Sequence, residues 1–291
     1  MIKKHKILIT GVYGFLGSNL YAKLSKFKNL QVSGIGRNRY NLKLKNTVSG
    51  SINKKNLNRL KFVPDTIIHC AGEGSVNNVT KQYGSGYFTT KKILDFYNKK
   101  KIKKFILISS AAVYGGGRKI KPISLYGKQK LLIENLCKLS LKNKKNKLII
   151  LRVFSLYGPG LKKQLFWDVC KKIKKVDNMF FGTGNEVRSW VYIDDLIHII
   201  FKICEKTIKS AIIDVNGTDT IKNKDLIKKI YNSYFPNKKM NSPSFSGEKR
   251  KGDPRIMRSY KKNIFNKKLI NYFTNLEDGI NRYIKWFKKI K

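Results

Sequence analysis

Residues 6–21, KILITGVYGFLGSNLY, combine an apolar run, three glycines at every third position and the start of a helix-like pattern. An apolar run followed by GxxGxxG predicts a strand, a tight turn and a helix. Gly11 permits the turn, Gly14 lets a phosphate approach the backbone, and Gly17 lets the helix pack closely against the strand. Because amides at the start of a helix attract anions, this stretch predicts a cradle for the pyrophosphate of a dinucleotide.

Two lysines precede the apolar run, so a secretory signal peptide is an alternative for this N-terminal stretch. A signal peptide needs an uninterrupted apolar core and a small-residue cleavage site. Here the glycines interrupt the apolar run, and the helix-like pattern continues into the polar residues 18–26, SNLYAKLSK. These features disfavour a signal peptide. They leave two interpretations, a dinucleotide cradle and a strand-turn-helix unit with a purely structural purpose.

The chain is strongly basic: its 291 residues include 63 Lys and Arg against 17 Asp and Glu, a formal net charge of +46. This balance raises polyanion binding as an alternative function. The lysines, however, are spread along the whole chain together with many asparagines and isoleucines, as A/T-biased codons would produce. We therefore attribute most of the charge to composition and expect no specific nucleic-acid partner, although a positive field helps to gather anionic ligands.

The cysteines and histidines are scattered, with no CxxC pair, which disfavours a zinc site. Cysteines inside apolar segments such as TIIHC (66–70) are typical of reduced core residues, so we expect a cytoplasmic protein. Asp194 and Asp195 begin an apolar helical run and are expected to serve that helix rather than a metal. No stretch approaches the ~20 apolar residues of a membrane-spanning helix. The cysteines are Cys70, Cys137, Cys170 and Cys204.

Five apolar runs in the first half alternate with segments whose apolar residues recur every three or four positions. This alternation predicts an α/β fold with a doubly wound, Rossmann-type parallel sheet. The connection after LQVSGIG (30–36) is short and polar, so one crossover is abbreviated. Turns become denser after residue 155, which predicts a smaller C-terminal substrate lobe. We assign 1–155 to the dinucleotide-binding lobe, rejoined by part of 185–217, and 156–291 mainly to the substrate lobe.

Further segments follow the glycine turn in a recognisable order. They are ISSAAVYG (108–115), YGKQK (126–130), LRVFSLYGPG (151–160), RSWVYIDDL (188–196) and RKGD (250–253). Together with TGVYGFLGS (10–18) they resemble the extended short-chain dehydrogenases/reductases, the family of nucleotide-sugar epimerases, dehydratases and reductases. The resemblance extends over most of the chain. It implies an NAD(P)-dependent enzyme that acts on a nucleotide-diphosphate sugar.

Tyr126 and Lys130 stand four residues apart, which places both side chains on one face of a helix. A tyrosine with the ordinary pKa near ~10 is a poor base at neutral pH, and a neighbouring ammonium lowers such a pKa. In a chain of this composition the spacing alone favours an exposed Tyr and Lys on a lysine-rich helix. The resemblance adds Ser110, which hydrogen-bonds the reacting oxygen, with Ser109 as its competitor. It therefore implies a catalytic group of Ser110, Tyr126 and Lys130.

Cofactor preference depends on the residues after the second strand, where NAD-preferring relatives carry an acidic residue. This chain has GRNRY (36–40) there, and Arg37, with Arg39 nearby, suits a 2′-phosphate. We therefore expect NADP, with NAD as the alternative. Ser51 stands where relatives often carry an aspartate near the adenine. The resemblance implies cofactor contacts from Gly11, Gly14, Phe15, Leu16, Gly17, Arg37, Ala71, Tyr126, Lys130 and Phe154.

The two residues after Ser110 bear on the reaction type. Dehydratases of the resembling family carry an Asp-Glu pair there, whereas this chain has Ala111 and Ala112. Without a carboxyl group to move protons at the sugar, dehydration lacks its acid and base. Epimerisation and reduction of a keto sugar both remain. Because NADP suits net reduction, we favour a reductase and keep a 4-epimerase as the alternative.

Substrate residues lie in the second lobe by the same resemblance. Arg188 and Arg250 match arginines that hold the diphosphate of a nucleotide sugar, a charge that guanidinium forks suit. Ser155 occupies a substrate position that is usually asparagine. Many relatives form homodimers through helices of the first lobe, whereas the lysine-rich helix faces of this chain oppose such an interface. The oligomeric state is therefore left open. Three aromatic residues are candidates for stacking on a base or sugar, although aromatic residues more often belong to a core. They are Trp167, Phe181 and Trp190.

Overall fold

The apolar runs of the first half form strands of one sheet in the computed structural model. It describes residues 4–39, 41–72, 84–98, 100, 102–142, 145–237, 242–260 and 273–290. The chain divides into two compact units. Unit 1 comprises Met1–Val113, Leu125–Arg152 and Ile197–Ile213. Unit 2 comprises Tyr114–Ser124, Val153–Leu196 and Asp214–Lys291.

The secondary structure alternates strands and helices in the first half and becomes more irregular afterwards. The described strands are β1 (His5–Thr10), β2 (Leu30–Gly36), β3 (Thr47–Ser49), β4 (Thr66–His69), β5 (Lys104–Ser110), β6 (Lys147–Val153), β7 (Ser155–Tyr157), β8 (Met179–Phe180), β9 (Val187–Tyr192), β10 (Ala211–Val215), β11 (Thr220–Lys222), β12 (Ser244–Phe245) and β13 (Ile256–Met257). The described α-helices are α1 (Phe15–Leu24), α2 (Lys54–Asn58), α3 (Ser85–Tyr97), α4 (Leu125–Leu141), α5 (Gln164–Lys175), α6 (Ile193–Glu205), α7 (Asn223–Tyr234) and α8 (Leu276–Lys289).

The central sheet has seven parallel strands in the order β10-β6-β5-β4-β1-β2-β3. The order reverses between β1 and β4, and open α/β sheets bind ligands beyond the carboxyl ends of their strands at such a point. The predicted doubly wound sheet is confirmed. The abbreviated crossover is also present, because β3 follows β2 without an intervening helix and pairs with it.

The strands beside the switch point are apolar because helices cover both faces of a parallel sheet. In β1 and β4 the side chains of Ile7, Ile9, Ile67 and Ile68 are fully buried. Lys104 breaks this pattern at the start of β5. Its buried ammonium donates hydrogen bonds to the carbonyl oxygens of residues 203, 204 and 206 at 2.8, 2.7 and 2.6 Å, at and just beyond the end of α6. A lysine therefore caps the carboxyl end of that helix, where a cation is favoured.

Unit 2 is built around a four-stranded sheet in which β9 pairs with β7, β11 and β13. Its core is aromatic: the rings of Tyr157 and Phe166 stack at 4.4 Å, and Trp190 meets Phe166 edge-on at 5.1 Å. The Tyr283 hydroxyl donates to the Leu161 carbonyl at 2.7 Å, which satisfies its polar end. These contacts give unit 2 a core of its own.

The two units differ from the sequence-based lobes at two places, residues 114–124 and residues 153–155, which both cluster with unit 2. Residues 114–124 follow β5, yet they cluster with unit 2. Two glycines explain why: a Cβ on Gly116 would lie 2.7 Å from Pro254, and a Cβ on Gly252 would lie 3.0 Å from Ser124. The segment therefore packs closely against residues of the 250–260 region. Among the described residues, no helix has the length and apolar character needed to span a bilayer.

Candidate active site

The glycine turn joins β1 to α1. Gly11 adopts a φ of +68°, and a Cβ there would lie 2.9 Å from the backbone nitrogen of Ala71. A Cβ on Gly17 would lie 2.2 Å from the Gly11 carbonyl oxygen. Glycine is thus required at both positions by the backbone and its packing, before any ligand is considered.

Gly14 differs from the other two glycines. It is the N-cap of α1, with φ −81° and ψ 170°, and it makes no side-chain cap bond. A Cβ at this position would have one close neighbour, the Gly11 carbonyl oxygen at 3.2 Å. Packing alone therefore explains Gly14 poorly, whereas a phosphate at the start of α1 explains it well. The first turn of α1 carries no acidic residue, so its amides fit an anion.

The remaining predicted cofactor residues of unit 1 lie at neighbouring strand ends. Arg37 and Arg39 are exposed just after β2, and Ala71 follows β4. Phe15 and Leu16 are half-buried in the first turn of α1. The glycine turn, Arg37 and Ala71 thus share the carboxyl edge of β1, β2 and β4, on both sides of the switch point.

A buried histidine, His69, forms hydrogen bonds with two threonines near this edge of the sheet. His69 Nδ1 lies 2.7 Å from Thr10 Oγ1, and its Nε2 lies 2.9 Å from Thr90 Oγ1. Thr90 donates to the Gly86 carbonyl at 2.8 Å, so it accepts from Nε2–H, and Thr10 in turn donates to Nδ1. Burial, with the Lys130 charge as a smaller cause, lowers the pKa of His69 to about 3. The imidazole is therefore neutral.

That neutral imidazole fixes a residue of the predicted cofactor site. Thr10 Oγ1 donates to His69 and accepts the Ala71 N–H at 3.2 Å. The chain of bonds thus ties the end of β1 to the backbone just after β4. Sequence reasoning missed this network and treated His69 as one of three scattered histidines. The sequence signal was His69 itself, a polar residue inside the apolar run TIIHC (66–70).

The two serines at the end of β5 have different environments. Ser109 is buried, and its hydroxyl donates to Glu134 Oε1 at 2.6 Å. Ser110 is half-buried, and its Oγ accepts the Ala112 N–H at 3.2 Å at the start of a 3-10 turn. The Ser109 proton is therefore committed to a carboxylate, whereas Ser110 acts as an acceptor there and keeps its own proton to donate. This difference favours Ser110 over Ser109 as the donor to a ligand.

Tyr126 and Lys130 lie in the first turns of α4. The Lys130 Nζ lies 5.7 Å from the centre of the Tyr126 ring and donates to the Ile108 carbonyl of β5 at 3.1 Å. A Cβ on Gly72 would lie 3.8 Å from the same Nζ. The ammonium therefore reaches across the ends of β4 and β5, beside the glycine turn.

Burial separates Lys130 from the other lysines of its helix. Lys130 is 8% exposed, whereas Lys128 is exposed. An ordinary solvent-facing lysine was the alternative explanation of the YGKQK spacing, and the burial of Lys130 does not fit it. In the part of the chain that the structure describes, the buried Lys and Arg side chains are Lys104, Lys130, Arg152 and Arg188.

The two alanines after Ser110 line a closed part of the 3-10 turn. Ala111 and Ala112 are 1% and 7% exposed. A carboxyl group at either position would need a buried partner or a route to solvent. The two positions directly after Ser110 therefore carry no carboxyl group, and the Tyr114 hydroxyl at the end of the turn donates to Asp214 Oδ1 at 2.7 Å.

In unit 2 the two predicted diphosphate arginines differ in exposure. Arg188 on β9 is 8% exposed; its Nη2 donates to Asp253 Oδ1 at 2.8 Å and its Nη1 to the Val187 carbonyl at 2.8 Å. Arg250 is exposed, and its guanidinium carbon lies 4.8 Å from the centre of the Phe181 ring. Arg250 thus presents the more open guanidinium, and Arg188 holds the RKGD segment through Asp253.

The three aromatic candidates for stacking also differ in exposure. Trp190 is 6% exposed and packs on Phe166 and Tyr157, and Trp167 packs against Phe287 at 5.2 Å. Phe181 is 49% exposed. Of the three candidates, Phe181 is therefore the most exposed, and its ring lies under the Arg250 guanidinium.

Two further predicted residues of unit 2 lie near the start of its sheet. Ser155 on β7 is half-buried and stands in register with Trp190. Phe154 is buried, and its N–H donates to the Val215 carbonyl at 3.0 Å. Both residues therefore belong to the backbone framework of this unit as well as to the predicted ligand contacts.

Asp195, near the start of α6, has a protein partner in Thr274. Its carboxylate accepts the Thr274 N–H at 3.1 Å and the Thr274 hydroxyl at 2.9 Å. Burial raises the pKa of Asp195 to about 6, and the Thr274 bonds oppose that rise. Within the described residues no cluster of His, Cys, Asp and Glu could hold a metal ion.

Comparisons with known proteins agree with the fold. The model of the NAD dependent epimerase/dehydratase family matches residues 7–215, more than half of the chain. The structure of UDP-glucuronic acid 4-epimerase from Bacillus cereus, in complex with UDP-glucuronic acid and NAD, is similar with a TM-score of 0.84 and 25% identity. That similarity covers 98% of this chain and 100% of the other.

Two curated relatives show the range of chemistry among similar proteins. The ADP-L-glycero-D-manno-heptose-6-epimerase of Brachyspira hyodysenteriae is 28% identical, covering 78% of this chain and 81% of its own. The dTDP-D-glucose 4,6-dehydratase of Dictyostelium discoideum is 29% identical, covering 78% of this chain and 62% of its own. These relatives differ from one another in nucleotide base and in reaction.

Proposed function

Because the chain belongs to the NAD-dependent epimerase/dehydratase family, we propose that it is an NAD-dependent 4-epimerase of a nucleotide-diphosphate sugar. The observation that carries the proposal is the buried Lys130 beside Tyr126, at the strand edge that also holds the glycine turn. A buried ammonium next to a phenol is costly in a fold and useful in proton transfer.

The dinucleotide belongs at the glycine turn. The Gly14 cradle and the amides of Phe15 and Leu16 would hold its pyrophosphate, with Ala71 and Lys130 at the neighbouring strand ends. When bound, the nicotinamide supplies the acceptor and donor for hydride. We assign NAD, because the B. cereus epimerase is described with NAD. The expected preference for NADP rested on Arg37 and the missing acid after β2, and the comparisons do not support it.

The chain's own residues supply the proton chemistry. We assign to Tyr126 the exchange of a proton with the reacting sugar hydroxyl, because its phenol is half-buried beside a cation. Ser110 donates a hydrogen bond from its hydroxyl to the same oxygen. Lys130 stabilises the phenolate that forms when Tyr126 gives up its proton. Each role follows from the environment of one side chain.

The reaction type is assigned by what surrounds Ser110 and by the relatives. Ala111 and Ala112 leave dehydration without an acid or base, so the dehydratase activity of one relative is not transferred to this chain. The remaining choice lies between epimerase and reductase. The relatives favour the epimerase, and the reductase that the sequence favoured loses its basis together with the NADP preference.

Recognition of the diphosphate is assigned to unit 2. Arg250 offers an exposed guanidinium, which lies over the ring of the partly exposed Phe181. Arg188 supports this segment through Asp253. The base stays open, since the similar proteins act on UDP-, ADP- and dTDP-linked sugars.

The test is turnover of a panel of nucleotide sugars, with UDP-glucose, UDP-glucuronic acid and their ADP and dTDP counterparts. An epimerase converts one sugar into its C4 epimer without net change in nicotinamide absorbance, whereas a reductase consumes the reduced cofactor one for one. Tyr126→Phe should lower turnover by roughly 10²-fold or more. Lys130→Met should do likewise, while the exposed neighbour Lys128→Met should not. Release of a 4-keto-6-deoxy sugar would refute the assignment.

A further inference from the structure

A buried ionic network joins α4 and β5, the two elements that carry the proposed catalytic group. Glu134 on α4 is fully buried and accepts hydrogen bonds from Arg152 Nε at 3.0 Å and Arg152 Nη2 at 2.6 Å. Its Oε1 also accepts the Ser109 hydroxyl at 2.6 Å. Arg152 is 2% exposed and Ser109 is 3% exposed. The network therefore connects α4, β5 and β6 away from solvent.

Two of its members, Ser109 and Glu134, lie on the elements that carry the proposed catalytic group. Ser109 precedes Ser110 on β5, and Glu134 follows Lys130 by four residues on the same face of α4. The helix is thus attached to β5 at two points, through Glu134 and through the bond of Lys130 to the Ile108 carbonyl. Because neighbouring side chains of a strand point to opposite faces, fixing Ser109 against α4 also fixes how Ser110 leaves β5.

Stability alone explains this network poorly. Replacing a buried ion pair by apolar side chains of similar size is often neutral or stabilising, because the charges lose their hydration on burial. What such a group supplies is geometry, since three short bonds allow one arrangement of α4 relative to β5 and β6. We propose that Glu134 is a positioning residue that, with Ser109 and Arg152, holds Ser110 on β5 and Tyr126 and Lys130 on α4 in their working arrangement. The role in turnover rests on the proposed function.

The decisive variant removes all three polar groups together. Ser109→Ala/Glu134→Leu/Arg152→Met removes the hydroxyl and both charges of the network together, so neither Glu134 nor Arg152 is left as a buried charge without its counter-ion, and the fold is expected to persist. We expect kcat to fall about 10- to 100-fold, the scale of a misplaced catalytic group. The KM for the sugar and the dissociation constant of NADH should change by less than about threefold, since the binding groups are untouched. The pH profile of kcat should be displaced.

The matched control is Lys104→Met, which removes another buried charge from the opposite end of the same strand. It should lower the unfolding midpoint and leave kcat and its pH profile unchanged. A triple variant that folds and keeps the parental kcat and pH profile overturns the proposal. Where the triple variant does not fold, Ser109→Ala alone decides: a displaced pH profile supports the proposal, and a parental one overturns it.

A measurement without substrate separates this proposal from the proposed function. Tyrosines labelled with ¹³C at Cζ are observed by NMR in the NAD complex, and Tyr126→Phe assigns the Tyr126 resonance. That resonance should move or broaden in Ser109→Ala and in the triple variant and stay in place in Lys104→Met. A parent that turns over no nucleotide sugar refutes the proposed function, while an unmoved Tyr126 resonance in the variants refutes the positioning role.

Discussion

Lys104→Met tests whether a buried lysine stabilises the end of a helix. The Lys104 ammonium donates to three backbone carbonyls, at 2.8, 2.7 and 2.6 Å, and the residue is 8% exposed. Hydrogen bonds from a charged donor contribute about 1.5–3 kcal/mol each. Burial of the charge offsets part of that gain and lowers the pKa of Lys104. We therefore expect Lys104→Met to cost about 2–4 kcal/mol.

Lys103→Met is the matched comparison, with the same residue type one position earlier. The Lys103 ammonium lies 3.1 Å from Asp65 Oδ1, and its side chain is 68% exposed. Asp65 Oδ2 also accepts the Lys6 N–H at 2.9 Å, so the carboxylate keeps a partner in this variant. Exposed ion pairs contribute up to about 1 kcal/mol. We therefore expect Lys103→Met to have a small effect on stability.

The assay is urea and thermal unfolding of both variants followed by circular dichroism. The difference between the two variants, about 1–4 kcal/mol, corresponds to about 2 °C or more between their midpoints in a chain of this size. Equal midpoints for Lys103→Met and Lys104→Met would refute the reasoning, because they would mean that the three carbonyl bonds contribute no more than a surface pair.

Three further predictions follow from the site and its surroundings. Gly14→Val should fold, since its Cβ meets one backbone atom at 3.2 Å, and should lose NAD binding in a fluorescence titration; unchanged affinity would contradict the phosphate cradle. Burial raises the pKa of Asp195 from 3.8 to about 6, so the folded protein holds this proton more tightly than the unfolded chain does. The free energy of unfolding therefore falls as the pH rises from 4 to 7 and Asp195 ionises. Asp195→Asn should therefore gain up to roughly 3 kcal/mol relative to the parent over that window, measured as midpoints at pH 4 and 7.5, and a constant difference would contradict this. RNA binding should be weak, steeply salt-dependent and blind to sequence, and tight selective binding at physiological salt would instead favour a polyanion-binding protein.

The sequence predicted the parts of the fold that depend on local pattern. The strand-helix alternation, the glycine turn and the short crossover between β2 and β3 are all visible in periodicity and in single residues such as Gly11. The close packing of residues 114–124 against the 250–260 region was not visible. It depends on how near Gly116 lies to Pro254, which are far apart in sequence. No local pattern records such a contact.

The same limit applies within the candidate site. The resemblance assigned Ser110 and kept Ser109 as its competitor, and the contact that distinguishes the two serines involves Glu134, which lies in α4. It assigned Arg188 and Arg250 the same role, whereas the structure pairs Arg188 with Asp253 and leaves Arg250 exposed. Long-range pairing of charged groups is therefore the information that a single sequence lacks.

Burial resolves the difficulty that the composition creates. In a chain with 63 Lys and Arg, the residue type of a lysine says little about its purpose, since codon bias could place lysine at any tolerant exposed position. A buried position is not tolerant, because an ammonium or guanidinium without acceptors is costly there. The buried Lys104, Lys130, Arg152 and Arg188 each have named oxygen acceptors in the structure. At these four positions burial therefore gives a physical reason for the charge, which composition alone does not give for an exposed lysine.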